Sequence, residues 1–197
     1  MHDKEYFDKR YRSNDIPWDN DRPDSNLINL IAKKRIKGNK VLDVGCGKGQ
    51  NCIWLAKNGF EVTGVDFSKT AISFAKENAI KSKVHINFLE NDFLKEEVKG
   101  YPFDFLYDHG CFHSFDSKEM ALFAENAAFH LSKQGKWLSI IGNCDEKREG
   151  NGPPRQSAKA VITAVEPFFE ILFIASGFFE SKHKIPPRAW ICFMQKR

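Results

Sequence analysis

Apolar and polar positions along this chain switch between two periods. Short apolar runs that suit buried strands stand at residues 40–44, 60–66, 84–89, 103–107 and 136–142, and helical spacing fills 50–58, 69–82 and 117–131. A further helix is predicted before them, from Ser25 to Ile36. This alternation predicts a parallel sheet with helices wound on both faces. The carboxyl end breaks the pattern: Phe169–Phe179 and Ala189–Gln195 are apolar runs whose polar, proline-bearing link has no room for a crossover helix. Parallel strands need a crossover of about a dozen residues, so these two should pair antiparallel. No repeat or low-complexity tract intervenes, and a single domain is expected.

The first strand runs directly into three alternating glycines, Val41-Leu-Asp-Val-Gly-Cys-Gly-Lys-Gly49, followed by the helical spacing of Cys52, Ile53, Leu55 and Ala56. Glycines at a strand-to-helix turn let the backbone approach a ligand of nucleoside size, although the same pattern also serves a tight turn that packs helix on strand. A dinucleotide loop needs Gly-x-Gly-x-x-Gly; from Gly45 and Gly47 the last position is Gln50, and from Gly47 and Gly49 it is Cys52, so neither register completes it. Asp43 beside the turn repels a phosphate and suits a cation. The second strand ends in Asp66, 21 positions after Gly45, where a carboxylate can accept both hydroxyls of a ribose. Ser68 is a fitting N-cap for the helix that follows.

The stretch Asp43-x-Gly45-Cys46-Gly47-x-Gly49, with Asp66 at its distance, resembles the cofactor loop of class I methyltransferases that use S-adenosylmethionine (SAM) and release S-adenosylhomocysteine. The resemblance implies a doubly wound, mostly parallel seven-stranded α/β sheet whose last strand is antiparallel. It also implies cofactor contacts from Trp18, Asp43, Gly45, Cys46, Gly47, Gly49, Asp66, Phe67, Asn91, Asp92, Phe93 and Asp108. Within Glu90-Asn91-Asp92-Phe93 it implies an acidic side chain on the adenine amine and an aromatic beside the ring; Asp92 as a helix N-cap is the alternative. Asp108-His109-Gly110-Cys111-Phe112-His113 is similar to the Asp-Arg-Gly segment of the thiopurine methyltransferase family and related bacterial small-molecule enzymes, with His109 in place of the arginine. Nothing at 108–111 resembles the Asn/Asp-Pro-Pro-aromatic segment of amino-group methyltransferases. Ile16–Asp24, Gly152-Pro153-Pro154 with Ser157, and Arg188-Ala189-Trp190 resemble further segments of the same group.

Asp108, His109 and His113 are thus the candidate catalytic residues. An unperturbed histidine titrates near neutrality and could take a proton from an acceptor, or either ring could be structural. The alternation His109-x-Cys111-x-His113 lacks a fourth ligand, and no metal is expected. The aromatic residues Tyr6, Phe7, Tyr11 and Trp18 are interleaved with charged ones, so residues 1–24 read either as a lid over the cofactor, with Trp18 against the sulfonium, or as a helix packed on the sheet edge; residues 25–197 form the methyltransferase domain.

Composition narrows the partners. The chain has 197 residues, 42% of them hydrophobic and 18 of them Phe, enough for a core without disulfide or metal. Five cysteines without a Cys-x-x-Cys pair suit free thiols in a reducing compartment, the charged amino terminus is unlike a signal peptide, and Phe168–Phe179 is too short to span a bilayer. A cytoplasmic location and no membrane partner are expected. The net charge is +4, and the densest basic run, Lys33–Lys37, sits at a predicted helix end where cations complement the dipole, so no nucleic-acid partner is expected. The expected activity is methylation of a small molecule, with a thiol or other soft nucleophile as the candidate acceptor, by a monomer or weak homodimer. An RNA or protein methyltransferase, or a SAM-binding protein without catalysis, are the alternatives.

Overall fold

The computed structural model describes residues 4–147, 154–182 and 184–197. In chain order the described elements are α1 (Lys4–Arg12), α2 (Ser25–Ala32), β1 (Lys40–Val44), α3 (Gln50–Lys57), β2 (Glu61–Asp66), α4 (Lys69–Lys81), β3 (Asn87–Glu90) and β4 (Phe103–His109). A short 3-10 turn (Phe112–Ser114), α5 (Ser117–His130), β5 (Leu131–Gly142), α6 (Ala158–Val165), β6 (Phe169–Phe178) and β7 (Arg188–Lys196) complete them. The strands form one sheet in the order β3-β2-β1-β4-β5-β7-β6. Six of the seven run in one direction, and β7 inserts antiparallel between β5 and β6. The seven-stranded sheet with its reversed last strand is the expected one.

Both faces are covered, so the central strands read as continuous apolar runs. On one face Leu106, Phe112, Phe123, Trp137 and Phe169 join in one core beneath α5 and α6. On the other, Leu27, Val41, Leu55, Phe105 and Phe193 pack beneath α2, α3 and α4. Side chains alternate across β4: Phe105 and Tyr107 enter the second core, and Leu106 the first.

Several boundaries differ from expectation for local reasons. Helix α2 stops at Ala32, because Lys34 takes a left-handed φ of 50°, which leaves most of the basic run beyond the helix. β3 begins at Asn87 because Val84 N–H still caps α4 through Ala79 O at 3.1 Å. Helix α6, Ala-Lys-Ala-Val-Ile-Thr-Ala-Val, was hidden by its β-branched residues; Ser157 caps it by accepting from Ala160 N. Among the described residues no helix is long and apolar enough to cross a membrane.

Candidate active site at the carboxyl ends of the strands

The turn after β1 is stitched to β2, with Gly45 N and Cys46 N both donating to Val65 O at 2.8 and 2.9 Å. Two positions require glycine. A Cβ on Gly45 (φ 71°) would stand 2.8 Å from Cys111 Cβ, and one on Gly47 (φ 54°) would stand 2.9 Å from the Tyr11 hydroxyl. The loop is therefore squeezed between the end of β4 and the amino-terminal arm. Gly49 (φ 81°) is the N-cap of α3.

Asp66 closes this turn from β2. Its two carboxylate oxygens accept from Gly47 N at 3.0 Å and Ser68 N at 2.9 Å. Burial nevertheless raises its pKa to about 6 against the pull of those two bonds. A carboxylate has about four lone-pair sites, so two remain for a ligand's hydroxyls. Asp43, only 2% exposed, takes a bond from Cys52 Sγ at 3.0 Å, and burial lifts its pKa to about 7. Burial also pushes the Cys46 thiol up to about 11, so it stays protonated.

At the end of β3, Asn91 N donates to Asp66 O, and its side-chain Oδ1 is buried with no hydrogen-bond partner. An orphaned acceptor of this kind is costly unless a donor arrives. Asp92 instead builds a turn: its Oδ1 accepts from Leu94 N and its Oδ2 pairs with Lys95 at 2.8 Å. Phe93 does not face the ligand side. It lies in the core with Phe123 at 4.7 Å and His130 at 5.4 Å, because its apolar ring gains more by burial there. Phe67, half-buried and 5.5 Å from Phe7, is the aromatic left at the turn.

Asp108 departs from expectation in the same way. It is fully buried, and its oxygens accept from Phe112 N at 3.0 Å and Trp137 Nε1 at 2.9 Å. Both bonds hold the 3-10 turn and β5 in place and occupy one position on each carboxylate oxygen. Burial raises its pKa. His113 is also an internal residue: its Nδ1 accepts from Gly142 N at 2.6 Å, and burial lowers its pKa to about 3. A ring that uses Nδ1 as acceptor and stays neutral carries its proton on Nε2, so His113 can donate there but is no base. Gln156 Nε2 donates to His113 O at 3.0 Å, which draws the segment before α6 onto this turn. Of the Gly152-Pro153-Pro154 match, Gly152 and Pro153 lie outside the described residues.

His109 behaves differently. Its side chain is 18% exposed, and its ring packs edge-on against Phe179 at 5.1 Å. Among the described residues no group of three or more His, Cys, Asp or Glu is placed to hold a metal.

The amino-terminal arm lies over the glycine loop. Asp8 on α1 accepts from Ser68 Oγ at 2.7 Å and Thr70 N at 3.0 Å, beside the Asp66 turn. Tyr11 is buried with Ile16 and Ala71 and receives a hydrogen bond from Trp18 Nε1 at 3.3 Å; Asp19 pairs with Lys48 at 2.7 Å. Trp18 is 38% exposed and carries the Arg10 guanidinium over its ring at 5.0 Å, so that face already holds a cation. The contact of the Tyr11 hydroxyl with Gly47 has no signal in the sequence, because only the folded arm brings residues 36 positions apart together.

The residues present fit a nucleoside sulfonium. The glycine cradle admits close backbone contact, Asp66 offers acceptors, Asn91 Oδ1 awaits a donor, and the carboxylates Asp43 and Asp66 favour a cation over a phosphate.

Residues 41–135 match the family described as a methyltransferase domain. An uncharacterized methyltransferase (C1348.04) of Schizosaccharomyces pombe is 41% identical over 88 residues, 44% of this chain and 59% of the relative. Probable thiol methyltransferase 2 of Arabidopsis thaliana is 27% identical over 150 residues, 75% of this chain and 65% of the relative. The chain thus spans less than two thirds of the length of these relatives. A solved structure from work on the conversion of a disulfide bond into a thioacetal group during echinomycin biosynthesis superposes with a TM-score of 0.86 at 23% identity, covering 99% of this chain and 92% of the other, a likeness of fold. Together with the sheet order, the glycine cradle and the buried carboxylates beside it, these matches support a class I, SAM-dependent methyltransferase, with the methyltransferase domain itself matched over residues 41–135.

Proposed function

We propose that this chain transfers a methyl group from SAM to a small thiol or similar soft nucleophile. The observation that carries the reading is the enclosure of the β4 end. Cys111 is pressed against Gly45, Phe112 and His113 are buried, and Phe179 covers both histidines, an enclosure that suits a compact acceptor better than a polymer. The relative named as a probable thiol methyltransferase in Arabidopsis supports the same acceptor class.

When bound, SAM supplies a methyl group on a sulfonium, open to in-line displacement. The chain's own residues have three tasks. Gly45 and Gly47 would bring the backbone against the ligand, and Asp66 would accept its ribose hydroxyls. The arm, through Tyr11 and Asp8, would keep water from the reacting groups, since charge disperses in this displacement and alignment in a dry site supplies most of the rate. His113 would donate Nε2–H to the acceptor and hold it in line.

The experiment is a turnover assay with SAM, reading S-adenosylhomocysteine, against alkyl and aryl thiols, phenols, amines, halides, metalloid anions, total RNA and a protein lysate. Thiols should be the best acceptors. Efficient transfer to RNA or protein with none to the small molecules would overturn the reading.

A further inference from the structure

The nitrogen His109 Nε2 is buried and has no hydrogen-bond partner, and it stands 3.6 Å from Oδ2 of Asp24. Asp24 is 1% exposed and is fixed from three sides. Its own N–H donates to Asn51 Oδ1 at 2.9 Å, its Oδ1 accepts from Leu27 N at 2.9 Å as N-cap of α2, and its Oδ2 accepts from Asn26 Nδ2 at 3.3 Å. A buried imidazole nitrogen and a buried carboxylate oxygen that face each other at this distance are one small closure away from a hydrogen bond, and such bonds often tighten only in the substrate complex. Whatever solvent reaches the ring meets it away from Nε2. His109 follows Tyr107 by two positions on β4, and so emerges on the α2 side of the sheet at the strand's carboxyl end.

We propose that Asp24 and His109 form a dyad that deprotonates the acceptor thiol, a role that rests on the acceptor reading above. Asp24 Oδ2 holds the proton on His109 Nε2, which leaves the Nδ1 lone pair for the thiol. In the transfer the S–H bond breaks and its proton goes to Nδ1. The thiol sulfur forms the bond to the methyl carbon, the carbon–sulfonium bond breaks, and its electron pair stays on the departing sulfur. The carboxylate of Asp24 stabilises the imidazolium so formed, and solvent takes the proton afterwards. Asp24 is a positioning residue and His109 the base. Asp24 from the start of α2 and the neutral His113 from the 3-10 turn face His109, with the Phe179 ring just after β6, and Tyr107, whose pKa burial raises, lies on the same side of β4 near Asp24.

The test compares an alkanethiol, protonated at pH 7, with 4-nitrothiophenol, already ionised there, in the wild type, His109→Asn and Asp24→Asn. Asparagine also caps helices well, so Asp24→Asn keeps α2. With a base at work, His109→Asn should lower kcat for the alkanethiol about 100-fold or more, and Asp24→Asn about tenfold or more. The alkanethiol loss should exceed the 4-nitrothiophenol loss by roughly tenfold or more in each variant, because only one acceptor still holds its proton. The wild-type kcat/KM for the alkanethiol should fall on the acidic side of its pH profile, and His109→Asn should abolish that limb. Equal losses on both thiols, or an unchanged limb, would overturn the dyad while leaving the acceptor reading intact. A wild type that methylates neither thiol would instead overturn the acceptor reading, and the dyad with it.

Discussion

Replacement of Asp66 by alanine tests whether the turn after β1 is a ligand cradle or only a packing device. The carboxylate accepts from Gly47 N and Ser68 N and is 7% exposed. Its pKa rises from 3.8 to about 6, so with those bonds included the ionised group is disfavoured in the fold by about 3 kcal/mol relative to the neutral one. Alanine removes that penalty but leaves two backbone N–H groups without an acceptor, at about 1–3 kcal/mol each. The two effects largely offset, and the stability of the ligand-free fold should change by no more than about 3 kcal/mol. Ligand binding has no such compensation. Loss of a charged acceptor for the ribose hydroxyls removes about 1.5–3 kcal/mol, which is roughly 10- to 150-fold in affinity. Urea unfolding measures the first quantity and calorimetric titration of S-adenosylhomocysteine the second. Asp92→Ala is the control and should cost less, since Asp92 is engaged in a local turn with Leu94 and Lys95. A folded Asp66→Ala protein with wild-type affinity would refute the ribose role.

The other expectations concern pH, the arm and the strand end. Asp43 and Asp66, with pKa values raised to about 7 and about 6, hold protons in the fold that the unfolded chain has lost; their contribution to stability is complete below about pH 4 and declines as pH rises to about 7. A bound sulfonium favours both charged forms, so SAM affinity should rise between pH 5.5 and 7.5 with proton release at pH 6, and calorimetry in buffers of different ionisation heat would expose a flat or falling profile as a contradiction. Deletion of residues 1–20 removes Tyr11 and the Asp8 bonds to Ser68 and Thr70, and should lower turnover and acceptor selectivity while the remainder still folds and binds cofactor. Undiminished turnover would remove the lid, and outright unfolding by circular dichroism would make the arm structural. Asp108→Asn puts an amide donor against the N–H of Phe112 or Trp137 and should destabilise the fold by about 1–3 kcal/mol in urea, whereas unchanged stability would show that the buried carboxylate is not the anchor described.

The sequence by itself determined the alternation of strands and helices, the reversed last strand and the cofactor turn. Each of these rests on information close together in the chain: the period of apolar residues, the length of a connection, the spacing of Gly45, Gly47, Gly49 and Asp66. What only the tertiary structure decided is the direction in which single side chains point. Asp108 and His109 are neighbours on β4, yet the pleat sends one carboxylate inward to Trp137 and sets the other's ring toward Asp24 on α2. Asn91, Asp92 and Phe93 are adjacent and suit either an adenine segment or a helix cap at Asp92, but a turn, a core and an orphaned buried acceptor divide them. Tyr11 meets Gly47, and Asp24 meets His109, across 36 and 85 positions of sequence. No local period encodes such pairs, because they exist only once the sheet has set the distance between its strand ends and the helices packed against them.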